Sequence, residues 1–345
     1  MKNKRRNLFF TVSFVLSVLS LFILILSKNS DTYAAFFNKT LAAFLRNALL
    51  SISNRVPFSL FELLLCLAPA FFVFFLYLLK TAKGKYVMKR FFSALAVFLL
   101  LFSLSINTFF ISFDTKENYS VSDFTESDIC FALSYLKDKI NACGMVAYQD
   151  AGELSSSLFS AFSRLKAPEL ILTREAPVIK KIKNEALASR LGILGIYSPV
   201  TSEINVNFSA PEYTACFSAA HEMAHLFGVA REGEACFFGY LASLETNKSG
   251  IVYSAYLSAF EALFLEFYSK NPALASEIYA SLSDAAKNDL QSYRDYYFKH
   301  HGALTDTADK INGELLDLAA PNKNADYGFF TKLLINRILS ENLSN

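Results

Sequence analysis

Apolar residues are concentrated in the first third of the chain, in three long runs with almost no charge. Residues 8–26 and 91–113 contain no charged side chain, and residues 56–79 contain one, Glu62. Each run is long enough to cross a bilayer as a helix. The pattern therefore predicts a membrane region over residues 1–113 with three spans, the first of which has a cleaved signal peptide as its alternative interpretation. No uncharged run of comparable length follows Asp114.

The rest of the chain has a different pattern. Residues 114–123 are polar and predict a linker, and residues 124–345 suffice for one further domain. Helical periodicity dominates this domain, and the predicted helices cover residues 124–142, 153–166, 177–191, 252–269, 272–298 and 326–343. Residues 192–208 combine β-branched and aromatic residues with glycine and proline, which predicts a short β-hairpin. The predicted fold class is mainly α: three N-terminal transmembrane helices followed by an α-rich domain with this hairpin.

Basic residues indicate how the predicted spans are oriented. Four of them lie within residues 2–6, and residues 80–90 carry five basic side chains and no acidic one. The positive-inside rule assigns both segments to the cytoplasm. We therefore expect a multi-pass protein of the cell membrane, in contact with the lipid bilayer, whose C-terminal domain is extracytoplasmic. The net charge of only +2 indicates no nucleic-acid partner.

Two of the four histidines lie in the sequence HEMAH, residues 221–225. Pro211 before this sequence and Gly228 after it predict a helix over residues 212–227. His221 and His225 then lie one turn apart on the same face and can bind one metal ion. Glu222 between them is suited to act as the general base on a metal-bound water, as in HExxH zinc peptidases. Zinc is the predicted cofactor and Glu222 the predicted catalytic residue.

A catalytic zinc site requires a third protein ligand. A second helix is predicted to begin near Glu232, and either Glu232 or Glu234 could reach the ion. A peptidase also needs a donor for the developing oxyanion. Four residues are eligible for that role: Tyr327, His300, His301 and Arg231. A predicted edge strand above the cleft could hold an extended peptide, or be an ordinary hairpin arm. It comprises Thr201, Ser202, Glu203, Ile204 and Asn205.

The sequence HEMAH followed by EGEACFFG resembles the gluzincin-like peptidases in which HExxH precedes E-x-x-A-[N/D]-x-F-A. Phage-repressor-cleaving peptidases and membrane CAAX-processing peptidases carry versions of this pattern. The resemblance implies a zincin-like domain with Glu232 as the zinc ligand, and Glu234 remains in reserve. Cys236 stands where those families have the Asn or Asp that orients a ligand, which makes it a candidate for that orienting role.

Most of the chain also resembles an uncharacterised bacterial family of membrane-anchored, three-span proteins with an outer HExxH domain. The likeness lies in the segments GILGIYSPVTSEINVN, HEMAHLFGVAREGEA, YRDYYFKHHG and DYGFFTKLL. The resemblance implies a peptidase-like fold and leaves the substrate open.

Two functions are compatible with these features. The first is a membrane-anchored zinc metallopeptidase that hydrolyses peptide bonds outside the cytoplasmic membrane, with a peptide or protein as substrate. The second is a non-catalytic, membrane-anchored binding module with a structural or degenerate metal site. Cys236 as a fourth ligand would favour the second, because closed tetrahedral sites are structural.

Overall fold

The computed structural model describes residues 36–80, 124–143, 150–165, 167–168, 170–308 and 327–344, with isolated positions at 15, 18, 22, 91 and 310. The chain divides into two compact units. The first contains the described part of residues 1–113 together with the segment Ser198–Glu203, and the second contains the described part of residues 114–197 and 204–345.

The first unit is helical. A short π-helical segment, Asn38–Ala42, leads into α1, Ala43–Ser53, and α2 covers Leu60–Lys80. Helix α2 corresponds to the predicted span over residues 56–79 and remains continuous through Pro69, with Glu62 in its first turn. The predicted spans over residues 8–26 and 91–113 lie, apart from isolated positions, outside the described residues.

The second unit is mainly helical, which confirms the predicted mainly α class. Its helices are α3 Glu126–Cys143, α4 Ala151–Leu165, α5 Glu185–Arg190, α6 Glu212–Leu226, α7 Glu232–Glu245, α8 Ser249–Lys270, α9 Pro272–Ala280, α10 Asp284–His300 and α11 Tyr327–Ser344. The predicted helix over residues 272–298 is divided into α9 and α10. The Ser283 side chain accepts a hydrogen bond from Ala286 N and so begins α10 as a new helix.

Helix α8 is the central element of the second unit. It packs against α3, α6, α7, α9 and α11. Its side chains Leu257, Phe260, Leu263 and Phe267 have no exposed surface. Apolar burial of this extent is the main stabilising contribution in a domain of this size.

Two helices of the described chain are long and apolar enough to cross a membrane: Leu60–Tyr77 within α2, and α8. The sequence predicted three such runs, of which α2 is one, and α8 was not among them. The two helices differ in their surroundings, because none of the α2 window is buried whereas 56% of α8 is. Helix α8 is therefore apolar because it forms the core of the second unit.

The strands form one small sheet, in the order β1-β3-β2. Strand β1 is Ile179–Lys181, β2 is Gly195–Ser198 and β3 is Glu203–Val206. β1 pairs with β3 in parallel, with Ile179 opposite Ile204. The prediction of a helix over residues 177–191 is wrong for its first half, which is strand β1. The predicted hairpin corresponds to β2 and β3, and it gains a third strand from a distant part of the chain.

The predicted edge strand over residues 201–205 is wrong in its placement. β3 lies in the middle of the sheet, and Thr201 and Ser202 belong to the turn before it. All five residues are buried: Thr201, Ser202, Glu203, Ile204 and Asn205. A central, buried strand has no unpaired edge for a peptide, and the edge strands of this sheet are β1 and β2.

Glu203 has a different role, within the first unit. Its carboxylate accepts hydrogen bonds from the backbone N–H groups of Leu60 at 3.0 Å and Phe61 at 2.8 Å. These are first-turn N–H groups of α2, which have no partner inside the helix. The Thr201 hydroxyl donates to the same carboxylate at 2.9 Å. Glu203 therefore caps the N-terminus of α2, where a negative charge also complements the helix dipole.

Candidate metal centre

Helix α6 carries both histidines and ends in a Schellman motif. Gly228 N donates to His225 O at 3.0 Å, and Val229 N donates to Ala224 O at 3.1 Å. Gly228 has a φ of 96°, in the left-handed region that glycine enters without a Cβ penalty. The predicted stop at Gly228 is confirmed.

Helix α7 begins soon after this turn and packs closely on α6. A Cβ placed at Gly239 of α7 would lie 3.1 Å from the backbone nitrogen of His221. Only a residue without a side chain allows this approach without a shift of the backbone. The close packing brings Glu232, the first residue of α7, to the last turns of α6.

The ring of His225 is oriented by the same turn. Its Nδ1 lies 2.7 Å from the carbonyl oxygen of Val229. A carbonyl can only accept, so Nδ1 carries the proton and Nε2 keeps a lone pair. His225 is 4% exposed, and this contact fixes the tautomer that a metal ligand requires.

The side chains of His221, His225 and Glu232 converge on one another. His221 Nε2 lies 2.9 Å from His225 Nε2 and 3.0 Å from Glu232 Oε2, and His225 Nε2 lies 3.6 Å from Glu232 Oε2. Ligands at about 2.0–2.1 Å from a tetrahedral zinc ion are separated from one another by about 3.3 Å. The three separations scatter around that value. The group therefore has the donor types and the spacing to hold a metal ion.

Glu232 is the member of the acidic pair that reaches the histidines. Glu234, kept in reserve as a ligand, is 1% exposed and forms an ion pair with Arg231 Nη1 at 3.2 Å. The group of potential ligand atoms within 4.8 Å of one another contains Glu232 and not Glu234. Of the two candidates that the sequence left open, only Glu232 therefore lies with the histidines.

Cys236 lies on the other side of the His221 ring. Its Sγ is 3.3 Å from His221 Nδ1 and thus contacts the nitrogen that does not face His225 and Glu232. When Nε2 acts as a ligand, Nδ1 carries the proton and can donate it to sulfur. Cys236 is therefore placed to orient the ring, as Val229 O does for His225.

Burial is the largest influence on the pKa values of both His221 and Glu232, and it disfavours their charged forms. Their neighbours outweigh it. Cys236 and Glu232 raise the pKa of His221 well above its ordinary value, and the two histidines lower the pKa of Glu232. Without a cation the cluster favours an imidazolium–carboxylate pair, so a metal ion must displace a proton to bind.

Glu222 points toward strand β2. Its Oε2 accepts a hydrogen bond of 2.6 Å from the backbone N–H of Tyr197. A Cβ at Gly195 would lie 2.8 Å from Glu222 Cγ, so the Glu222 side chain can hold its present position only because this residue is glycine. Burial raises the pKa of Glu222 above its ordinary value, against the opposing effect of His221 and His225. A raised pKa suits a carboxylate that exchanges protons near neutrality.

The predicted oxyanion donors have other described contacts. The ring of His300 packs on Tyr296 with centroids 4.8 Å apart, and His301 Nε2 lies 3.3 Å from Asp306 Oδ1. Arg231 pairs with Glu234. Tyr327 begins α11, and its side chain lies outside the described part of the structure.

Sequence reasoning missed three contributors to the site: Gly195, the Tyr197 N–H and the Val229 carbonyl. A glycine within a strand pattern is a known sign of close backbone approach, so Gly195 had a signal. Backbone N–H and C=O groups occur in nearly every residue, and their roles follow from the fold alone.

Fold and site together define a mainly helical protein with an apolar helix suited to a membrane and a cluster that could hold a metal ion. The chain belongs to the family described as Protein of unknown function (DUF3810), whose model matches residues 33–335. No curated protein and no solved structure matches the chain.

Proposed function

We propose that this protein is a membrane-anchored zinc metallopeptidase that hydrolyses peptide bonds outside the cytoplasmic membrane. The observation that carries the proposal is the convergence of His221, His225 and Glu232 within 4.8 Å, beside the buried carboxylate of Glu222. Two imidazoles and one carboxylate form a donor set that leaves a position open in a four-coordinate zinc site.

The site residues have distinct roles in this proposal. His221, His225 and Glu232 would hold the zinc ion, which when bound polarises a carbonyl and lowers the pKa of a coordinated water to about 7. Glu222 takes a proton from the attacking water and delivers it to the leaving amine. Cys236 and the Val229 carbonyl keep the two imidazole rings in the binding orientation.

Strand β2 is the proposed binding surface for the peptide. It is an edge strand of the sheet, and its Tyr197 N–H contacts Glu222 directly. An extended peptide can add to such an edge through main-chain hydrogen bonds. This placement replaces β3, whose central position leaves it no edge.

A multi-pass location in the cell membrane completes the proposal. It is supported by α2, whose 18-residue apolar window has no buried residue, and by the basic segments that flank the predicted spans. The zincin-like character of the second domain, and its extracytoplasmic position, are part of the same proposal.

The non-catalytic binding module is the less favoured function. It would be supported by Cys236 as a fourth ligand, but the Cys236 sulfur contacts His221 Nδ1 rather than the Nε2 side of the cluster. That arrangement supports an open site.

Substitution of Glu222 tests the proposed activity. The full-length protein, purified in detergent and loaded with zinc, is incubated with a mixed peptide library. Glu222→Gln should keep its zinc and lose turnover by about 10²–10⁴-fold, because the base is lost. Glu212→Gln is the matched control, since Glu212 lies at the start of the same helix. Full turnover in Glu222→Gln would contradict the assigned base, and zinc binding with no cleavage by the unsubstituted protein would favour the binding module.

A further inference from the structure

The helical segment of residues 36–53 in the first unit exposes a stripe of large apolar side chains. Phe36 is 65%, Leu41 40%, Phe44 66% and Ile52 55% exposed. Leu41, Phe44 and Ile52 recur at helical spacing, with the exposed Ala48 between the last two. The stripe is therefore continuous along one face of the segment.

The opposite face of the segment is buried, although it is partly polar. Asn38, Ala42, Arg46, Leu50 and Ser53 are each at most 2% exposed. A helix in water places its apolar face inward. This segment buries Asn38 and Arg46 together with Phe37 and exposes Phe44 and Ile52, a distribution that suits an apolar medium around its outer face.

Exposed apolar side chains also follow the stripe along the chain, into α2. The two helices are separated by residues 54–59, where Phe58 is 46% exposed. Helix α2 exposes large apolar side chains along its length, including Leu65 at 56% and Phe74 at 58%. Both surfaces belong to the same unit, and a helix of this composition and length is suited to hydrocarbon.

The contacts of Glu203 indicate at what depth of a bilayer the N-terminus of α2 would lie. Its carboxylate caps Leu60 N and Phe61 N. A carboxylate is costly in the centre of a bilayer and tolerated near its surface. The end of α2 that follows the striped segment is therefore the end suited to the headgroup region.

The charge of the segment also fits a lipid surface. Residues 36–58 contain Lys39, Arg46 and Arg55 and no acidic residue, and Lys39 and Arg55 are exposed. Basic side chains beside an apolar face are typical of helices that lie in the interface and contact anionic headgroups.

We propose that residues 36–53 form an in-plane anchor whose Leu41–Phe44–Ile52 face inserts into the leaflet at the N-terminal end of α2. The inference rests on the proposed membrane location and is independent of the proposed peptidase activity. It assigns a lipid-binding surface to a segment that no predicted span includes.

Tryptophan fluorescence in vesicles tests the proposal. The chain has no tryptophan, so a single substitution creates its only indole. Phe44→Trp is made in the full-length protein, with Ile52→Trp as a second position on the stripe. Phe298→Trp is the matched control in α10, because Phe298 is 65% exposed against 66% for Phe44. Phe74→Trp, in the middle of α2, is the reference for the hydrocarbon centre.

The proteins are reconstituted into phosphatidylcholine–phosphatidylglycerol vesicles that contain lipids brominated either near the headgroup or deep in the acyl chain. We expect blue-shifted emission from Phe44→Trp and Ile52→Trp, with stronger quenching by shallow than by deep bromine. Phe74→Trp should show the opposite depth preference, and Phe298→Trp should be quenched by aqueous iodide and not by either lipid.

Three results would overturn the inference. Iodide quenching of Phe44→Trp and Ile52→Trp equal to that of Phe298→Trp would place the stripe in water. Preferential quenching by deep bromine would make the segment a spanning element. Absence of lipid quenching in Phe74→Trp as well would refute the membrane location itself, while leaving the metal site and its activity open to the separate Glu222 experiment.

Discussion

Glu232 and Glu234 lie two residues apart in the first turn of α7, yet their carboxylates have different surroundings. Glu234 is buried and paired with the guanidinium of Arg231 at 3.2 Å. Glu232 faces the Nε2 atoms of His221 and His225 at 3.0 and 3.6 Å. A buried carboxylate requires a proton or a positive partner.

The difference between the two positions separates a structural role from a chemical one. Arg231 is permanently charged and satisfies Glu234 within the chain. Imidazoles are neutral when they act as ligands, so a divalent cation is the partner that would satisfy Glu232 and both rings together. Both residues are glutamates in the first turn of the same helix, so their different roles come from the side chains that each of them faces.

Matched substitutions at the two positions should give the largest difference. Glu232→Gln should weaken zinc binding by more than the about 10–100-fold typical of changes around a metal ligand, because a ligand itself is lost. Glu234→Gln should retain zinc binding and lower the Tm, because it alters a buried ion pair. Chelator competition and thermal unfolding of the full-length protein in detergent measure both quantities. Equal zinc affinity in the two variants would remove the distinction.

Gly195 tests whether β2 positions the base. Gly195→Ala places a methyl group 2.8 Å from the present position of Glu222 Cγ and so displaces that side chain. Peptide turnover should fall by about 10²-fold, the loss that a displacement of about 1 Å can cause, while zinc affinity is retained. Gly302→Ala is the control, since no heavy atom lies within 4 Å of its added Cβ. Unchanged turnover in Gly195→Ala would show that β2 does not hold Glu222 in the active state.

Substitution of Cys236 tests whether its thiol orients the His221 ring. Cys236→Ala should lower zinc affinity by about 10–100-fold, whereas Cys236→Ser, which retains an acceptor, should recover part of it. Cys216→Ala is the control, because Cys216 is another buried thiol and contacts Ser254 instead. An equal loss of zinc affinity in Cys216→Ala and Cys236→Ala would show that Cys236 acts through packing and does not orient His221.

A partly buried carboxylate in α8, Glu261, extends the comparison to a neutral partner. Burial raises the pKa of Glu261 to about 7, against the opposing hydrogen bond from the Tyr213 hydroxyl. The folded protein then holds a proton that the unfolded chain releases above its ordinary pKa of 4.5. Stability should be full below that value and decline as the pH rises through about 7.

The measurement is the Tm of the full-length protein between about pH 5 and about pH 8. Glu261→Gln should flatten the decline by a few degrees relative to the unsubstituted protein, since the other titrating groups are common to both. An identical pH slope in the two proteins would show that Glu261 is charged in the folded state throughout this range.

Local patterns predicted the parts of the molecule that depend on local geometry. The four-residue spacing of His221 and His225, the left-handed stop at Gly228 and the start of a helix near Glu232 all follow from residues close in sequence. The structure confirms these helices and the turn between them.

Long-range pairing was the source of the errors. Strand β1 has three residues and is a strand because it pairs with β3, which lies more than 20 residues later in the chain. That pairing also makes β3 central and leaves β1 and β2 as the edge strands. Charge did separate α2 from α8: Glu261 and Glu266 lie within α8, and the sequence accordingly predicted a span at α2 and none at α8.

The most direct test of the central claim is zinc K-edge absorption spectroscopy on the purified full-length protein with its metal content measured in parallel. We expect a single bound zinc ion with nitrogen and oxygen ligands at about 2.0–2.2 Å and none of sulfur. A protein that binds no zinc would contradict the account. So would a sulfur ligand at about 2.3 Å, which would make Cys236 part of a closed, structural site.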